Sequence, residues 1–458
     1  MRLFARVNPE ILMNDVPHCK FIIIQLRILR EELCSEVNIR FGLFRDRAAH
    51  PFILKTDRTT IICPVMPLNG ERAFEIMQRE GVDTLVASST ENVYYVSNYW
   101  SLGKRLGCGV QAYAVLPIEA VPAIVAPLDE ADLVLDSQTW IEDIRFHGSS
   151  KVEVGQPEEP SEQTELLLKL HKGARSETDG VSALLKTIEE KGLADGVIAL
   201  DASGLTPSLY EQIKSKLSGA KLVDGASLLG EIRLVKTESE LGRIKRATAI
   251  TEKSMEDALE IARSEITELD LAGMYAYSVA YDGGQVTQNL IGFRERSAFP
   301  NPVPSLFEAE RRDLVRMIFG CTWDHYHSNI SRTAVIGRPL QKMQRRWEAV
   351  MSAQDAALDA VEPGAKIGDV CTAALRALEA GDVKGFRGAV GHGIGVECNE
   401  RPWIERDDEG ELLEGMVVNI DIPVLELGWG GTQLEDTILV TSEGPELLTR
   451  TDRTLYLL

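Results

Sequence analysis

The order of helices and strands between residues 237 and 445 repeats, and this repetition constrains the fold more than any other feature. A long helix is predicted to start near Thr237, because its first turn is acidic and suits the positive end of a helix. A second helix follows Ile266 and strands come next. Further helices are predicted at 341–361 and 367–380, and strands at 286–293, 314–320, 330–336, 416–422 and 433–441. Two helices followed by strands, twice over, indicate a weak internal duplication.

The rest of the chain divides by composition and pattern, and its 458 residues favour two domains. Residues 66–230 alternate helices with short apolar strands such as Thr84–Ala87, which is typical of an α/β domain. Residues 1–65 carry ten basic and seven acidic residues and little periodicity. They form either a partner-binding extension of uncertain order or an upstream segment that adds little. The predicted fold class is α/β (α+β), with a duplicated domain at 231–458.

Charge and cysteine usage limit the partners and the compartment. A net charge of -21 repels nucleic acid and anionic membranes, so we predict neither as a partner. The sequence contains no run of 18 apolar residues, so no membrane-spanning helix is predicted. Seven scattered cysteines without a CxxC pair favour reduced thiols in a cytoplasmic protein.

A glycine-flanked histidine and two strand carboxylates are the strongest candidates for chemistry. His392 lies between Gly391 and Gly393, which leaves the backbone free for tight turns and close approach by a ligand. Asp421 and Glu435 stand inside apolar strands, where an unpaired carboxylate is costly. Either carboxylate alone is compatible with an ordinary buried hydrogen-bond network. Together with His392 they indicate a site.

A second polar stretch, CTWDHYHSNISRTAVIG at residues 321–337, contains Tyr326, His327 and Arg332 close together. It has the composition of an active-site strand pair. However, the positions where a metal site would need carboxylates hold Asn329 within the stretch and Ile318 just before it.

The order of these stretches resembles the creatinase and aminopeptidase P superfamily of metallopeptidase-like proteins over about residues 66–445. Gly-His-Gly-Ile-Gly at 391–395 and Glu-Asp-Thr at 435–437 carry the resemblance. It implies a creatinase-like N-terminal α/β domain, a duplicated pita-bread catalytic domain, and a homodimer or higher oligomer.

The resemblance also implies five ligand positions for two divalent ions, and these are Ile318, Asn329, His392, Asp421 and Glu435. Two of the five have lost their carboxylates, and Asp421 is shorter than the glutamate of the family. Two ions would leave two positive charges uncompensated, so we predict no dinuclear centre and no cofactor. A single ion on His392, Asp421 and Glu435, with His325 or His327 as a further donor, stays open as an alternative.

Creatinase and the similar ectoine hydrolases open C–N bonds without a metal. By this resemblance we predict a metal-independent acid–base enzyme that hydrolyses or otherwise rearranges a C–N bond in a small polar molecule. His392 is the expected acid/base, assisted by Glu435 or Asp421. Glu400 resembles the acidic residue that recognises the substrate's amino end. The predicted substrate-binding residues are Glu400, Asn301, Asn329, Asn399, Tyr326, His327 and Arg332.

Two other hypotheses stay open. One is a metal-dependent Xaa-Pro aminopeptidase or dipeptidase, and the other is a non-catalytic binding scaffold. Creatinase carries its catalytic histidine on the loop where this chain has Asn301, so its machinery is not reproduced. The expected partners are a small-molecule substrate and a second copy of the chain in a homodimer.

Overall fold

The structure, a computed structural model, describes residues 53–55, 60–62, 66–149, 152–156, 158–173, 177–383, 386 and 388–458. The chain forms two compact units, Met1–Cys63 and Pro64–Leu458. In the first unit, strand β1 (Ile53–Lys55) pairs antiparallel with β2 (Thr60–Ile62). Apart from these strands, the predicted N-terminal extension lies outside the described residues.

The second unit opens with a six-stranded mixed sheet. Its strands are β3 (Thr84–Ala87), β4 (Tyr113–Pro117), β5 (Ala123–Pro127), β6 (Asp143–His147), β7 (Val197–Leu200) and β8 (Lys221–Asp224). They are ordered β6-β5-β4-β3-β7-β8, and the pairs β3–β4 and β4–β5 are antiparallel while the others are parallel.

Eight helices accompany this sheet within the described residues. They are α1 (Gly70–Arg79), α2 (Thr90–Ser97), α3 (Leu102–Arg105), α4 (Ala131–Asp136), α5 (Glu162–Gly173), α6 (Gly180–Glu190), α7 (Pro207–Lys216) and α8 (Gly225–Ile232). Strand alternation separates two cores, because Leu85 and Ala87 pack with α1, α2 and α8 while Val86 packs with α6 and α7. An α/β domain was the prediction, and the structure confirms it.

The remaining part of the second unit is built around a larger sheet. Its strands are β9 (Gln285–Phe293), β10 (Leu314–Trp323), β11 (Tyr326–His327), β12 (Ile330–Val335), β13 (Gly391–Gly393), β14 (Glu400–Trp403), β15 (Val417–Glu426), β16 (Gly430–Thr441), β17 (Gly444–Leu447) and β18 (Tyr456–Leu457). Seven run in the order β11-β10-β12-β16-β15-β13-β14, with β9, β17 and β18 beside β10, β16 and β12. The helices are α9 (Glu238–Glu260), α10 (Glu268–Tyr281), α11 (Gln341–Asp359) and α12 (Ile367–Ala380).

The predicted duplication is present. Helices α9 and α10 precede β9, β10 and β12, and helices α11 and α12 precede β13 to β16. Helix α9 begins as predicted, because Thr237 and Glu240 form a reciprocal capping box. Within the described residues, no helix has both the length and the apolar character to cross a bilayer.

All four helices pack on one face of the larger sheet. On β10, Val315, Met317 and Phe319 join the core formed with α9 and α10. On β16, Leu434 and Ile438 join the core formed with α11 and α12. Because side chains alternate along a strand, the residues between them face the opposite side of the sheet. That opposite face carries the candidate site.

Candidate active site

One row of side chains crosses four strands on the face away from the helices. Ile318 on β10 is opposite Ser331 on β12, and Ser331 is opposite Glu435 on β16. Glu435 is in turn opposite Asp421 on β15. The register therefore brings together two carboxylates that the sequence separates, and it sets the apolar Ile318 at the far end of the same row.

His392 stands in the neighbouring strand β13 and reaches this row. Its Nε2 lies 3.6 Å from Glu435 Oε1, and its Nδ1 is 2.9 Å from the carbonyl oxygen of Gly393. A Cβ at Gly393 would lie only 2.1 Å from the carbonyl oxygen of Arg401, so glycine is needed for this close approach of β13 and β14. The glycines found in the sequence thus set the position of the histidine.

Glu435 is held from two sides. Ser331 Oγ donates to Oε2 and Asn419 Nδ2 donates to Oε1, both at 2.8 Å, and the residue is 1% exposed. Burial lowers the pKa of His392, but the contact with Glu435 and its negative charge outweigh burial and raise that pKa above its ordinary value. The pair therefore favours a protonated imidazole beside a fixed carboxylate.

Asp421 is joined to a buried arginine through a glutamine. Gln433 Nε2 donates to Asp421 Oδ1 at 2.8 Å, and Arg316 Nη1 donates to Gln433 Oε1 at 2.5 Å. Burial and then the charge of Glu435 raise the pKa of Asp421 to about 8, although Gln433, His392 and Arg316 oppose the rise. Asp421 is therefore largely protonated near neutral pH in the protein without a bound cation.

Arg332, a predicted substrate-binding residue, faces the helices instead. Its Nη2 donates to Asp436 Oδ1 at 2.7 Å, and both side chains are at most 1% exposed. Gln354 on α11 also donates to Asp436, which fixes the pair in the core. The substrate contact of Arg332 stays a prediction that this geometry does not favour, because strand alternation directs Arg332 away from Ser331 and the site.

Tyr326 and His327 follow a tight hairpin turn at Asp324 and His325, whose φ angles are 47° and 66°. Tyr326 is fully buried and donates its hydroxyl to Glu240 at 3.1 Å, an arrangement that does not favour its predicted contact with substrate. Burial lowers the pKa of His327 to about 4, so this imidazole is neutral. The structure joins neither residue to the row of carboxylates, and the substrate contact of His327 stays a prediction.

Glu400 is already paired within the protein, and its recognition of a substrate amine stays a prediction. Its carboxylate accepts from Lys236 Nζ at 2.5 Å and from Arg233 Nη2, and Arg233 also contacts Glu397 at 2.7 Å. Arg233 and Lys236 outweigh burial and hold the pKa of Glu400 below its ordinary value. This network ties the loop after His392 to the segment that leads into α9.

The three predicted asparagines differ in setting. Asn329 is 4% exposed, and its main-chain oxygen accepts from Asn419 Nδ2 at 3.1 Å. Its own Oδ1 has no hydrogen-bond partner among the described residues. Asn301 and Asn399 are exposed, and their substrate contacts remain predictions.

Sequence reasoning missed the side chains that support the carboxylates, namely Arg316, Ser331, Asn419 and Gln433. A signal was present, because a charged residue interrupts the apolar run from Val315 to Phe319. Strand alternation also puts Arg316 on the face of Ile318, and Gln433 on the face of Glu435.

The residues do not fit the pair of divalent ions that the resemblance implies. Ile318 offers no lone pair, and in the described part of the chain no three His, Cys, Asp or Glu side chains form a ready-made metal cluster. The two remaining carboxylates, Asp421 and Glu435, balance the charge of one divalent ion. With His392 they are three donors of the chemical types that hold one ion, although their present spacing does not form a ready-made cluster. The donor chemistry therefore fits a single ion.

The structure thus combines an α/β domain with a duplicated sheet-and-helix domain that carries the candidate histidine–carboxylate site. The chain belongs to Metallopeptidase family M24, whose sequence model matches residues 242–442. The Creatinase/Prolidase N-terminal domain matches residues 71–235.

Individual relatives agree with this assignment. The Xaa-Pro dipeptidase of Pyrococcus furiosus is 31% identical over 280 residues, which are 60% of this chain and 78% of that protein. The crystal structure of the prolidase from Pyrococcus horikoshii OT3 is 25% identical, with a TM-score of 0.68 over 84% of this chain and 99% of that one. The solved structure of the prolidase from Pyrococcus furiosus is also 25% identical in sequence, with a TM-score of 0.65 over 82% of this chain and 99% of that one.

These relatives overturn one prediction. The family is described as a metallopeptidase family, and two of the relatives are named Xaa-Pro dipeptidases. The metal-independent, creatinase-type interpretation is therefore wrong, and the alternative of a metal-dependent Xaa-Pro peptidase is the better supported one.

Proposed function

We propose that this chain is a hydrolase that cleaves the peptide C–N bond of small Xaa-Pro dipeptides. The observation that carries the proposal is the 3.6 Å contact between His392 Nε2 and Glu435 Oε1, beside Asp421, in a chain of family M24. The names of the relatives support the substrate class.

His392, Asp421 and Glu435 are the residues that would hold a single divalent ion. Once bound there, such an ion supplies Lewis-acid polarisation of a carbonyl and activation of water. The chain's own contribution is orientation. Ser331 and Asn419 fix the two oxygens of Glu435, and Gln433 fixes one oxygen of Asp421.

The reaction adds the oxygen of water to the carbonyl carbon, breaks the C–N bond and gives a proton to the leaving nitrogen. Asn329 Oδ1, buried and without a partner in the described part of the chain, is an acceptor for a substrate N–H group. Burial of Glu435 at 1% exposure keeps bulk water away from the charged atoms and so strengthens their interactions.

A dipeptide panel tests the proposal. Purified full-length chain, supplied with Mn²⁺, should release proline from Gly-Pro and Leu-Pro faster than it splits Gly-Ala or creatine. Chelation should abolish the release, and added Mn²⁺ should restore it. Preferential hydrolysis of creatine, or Xaa-Pro turnover that chelation leaves unchanged, would contradict the proposal.

The predicted homodimer and cytoplasmic location belong to the same proposal. The net charge of -21 and the scattered cysteines support the location. Light scattering of the eluted protein tests the dimer, and a mass of one chain would exclude it.

A further inference from the structure

Arg316 is a buried cation at the edge of the candidate site. It lies in the middle of β10, is 1% exposed, and faces the same side of the sheet as Ile318. Burying a guanidinium is costly unless its charge is compensated. Val315 and Met317, on either side of Arg316, pack on the helices. We therefore expect the guanidinium to have a partner on the opposite face of the sheet, where the site lies.

The partner of Arg316 is Asp421, reached through Gln433. Arg316 Nη1 donates to Gln433 Oε1 at 2.5 Å, and Gln433 Nε2 donates to Asp421 Oδ1 at 2.8 Å. The other terminal nitrogen donates to the carbonyl oxygen of Phe299, which anchors the guanidinium. Among the described residues, Nε has no hydrogen-bond partner and Arg316 forms no direct salt bridge.

The guanidinium keeps its charge at neutral pH. Burial lowers the pKa of Arg316, and Asp421 partly offsets this, which leaves the pKa at about 10. The site thus contains one fixed positive charge and two carboxylates, Asp421 and Glu435. With both carboxylates ionised and His392 neutral, as ion binding requires, one divalent ion brings this group of charges from -1 to +1, whereas two ions would bring it to +3.

We propose that Arg316 is a positioning residue that takes the electrostatic place of a second metal ion and limits the site to one. This inference rests on the proposed metal-dependent hydrolase. It also accounts for Ile318, since a neutral side chain two residues along the same face adds no further charge to the group formed by Arg316, Asp421 and Glu435.

Calorimetric titration of Mn²⁺ into the chelator-stripped full-length chain tests the inference. The wild-type chain should bind one ion. Arg316→Met should bind one ion at least about tenfold more tightly, because a repelling charge has been removed from a low-dielectric site. Arg316→Lys keeps the charge and should stay within about threefold of the wild-type Kd. Arg145→Met removes a partly exposed arginine of the N-terminal sheet and should leave the Kd unchanged.

A second variant keeps the test decisive if Arg316→Met fails to fold. The double variant Ile318→Asp/Asn329→Asp restores two carboxylates and keeps Arg316, and it should still bind one ion. Adding Arg316→Met to it should allow two. No bound ion or two bound ions in the wild-type chain, two in the double variant, or an unchanged Kd in Arg316→Met would each overturn the inference.

These counts are made without substrate, so they are separable from the proposed function. A chain that binds one ion as expected but releases no proline would overturn the peptidase proposal alone. A chain that releases proline while binding two ions would overturn the role of Arg316 alone.

Discussion

His392 Nε2 lies 3.6 Å from Glu435 Oε1, although the two residues come from strands that are not adjacent in the sheet. Strand β15 separates β13 from β16, and its Asn419 donates to Glu435 Oε1 at 2.8 Å. The histidine–carboxylate contact therefore spans three strands and depends on their register. Side chains that hold Glu435 should matter for turnover even if they never touch substrate.

Ser331→Ala tests this dependence. It removes the hydrogen bond to Glu435 Oε2, and kcat for Xaa-Pro dipeptides should fall about 10-fold to 100-fold, as for other residues that orient a ligand. Steady-state kinetics with separate kcat and KM values measures the effect. Ser215→Ala, an exposed serine on α7, is the matched control and should keep wild-type kinetics. Equal kcat in the two variants would show that Glu435 needs no such support.

Arg332→Met should destabilise the chain and leave the KM of the folded protein unchanged. The substitution removes the buried cation closest to Asp436 and leaves Arg453 as its ion-pair partner, at a cost of about 3 kcal/mol in the free energy of unfolding. Urea unfolding followed by circular dichroism measures it. A raised KM with unchanged unfolding would instead return Arg332 to the substrate site.

Glu240 should make stability depend on pH. Burial raises its pKa from 4.5 to about 7, so the folded state binds a proton that the unfolded state releases. The stabilisation is complete below about pH 4.5 and is lost as pH rises through about 7. Glu240→Gln cannot ionise, so its advantage over wild type should grow by up to about 3 kcal/mol from pH 5 to pH 8. Parallel stability–pH curves for the two proteins would contradict this assignment.

Glu400→Gln should affect folding more than substrate affinity. It leaves Arg233 and Lys236 buried with less compensation, which should cost about 3 kcal/mol. Glu409→Gln is the matched control, because its pair with Lys366 is exposed and its loss should be undetectable in the same unfolding experiment. A large rise in KM with intact stability would instead support the predicted role of Glu400 in binding the substrate's amino group.

Periodicity predicted the elements around the site because it is a local property. Helix α12 begins and ends at the residues predicted, and α9 begins at the predicted position after Thr237. The alternation of side chains along β12 could also have predicted that Arg332 faces away from Ser331. The link from Arg316 through Gln433 to Asp421 was out of reach, because it depends on the pairing of strands more than a hundred residues apart.

Proline release from Leu-Pro by the Mn²⁺-supplied wild-type chain and by His392→Ala tests the central claim most directly. Removing His392 should lower kcat/KM by at least about 100-fold while circular dichroism stays unchanged. His171→Ala, a histidine on α5, should keep the wild-type rate. Equal proline release by His392→Ala and wild type would contradict the claim that His392, Asp421 and Glu435 form the site of hydrolysis.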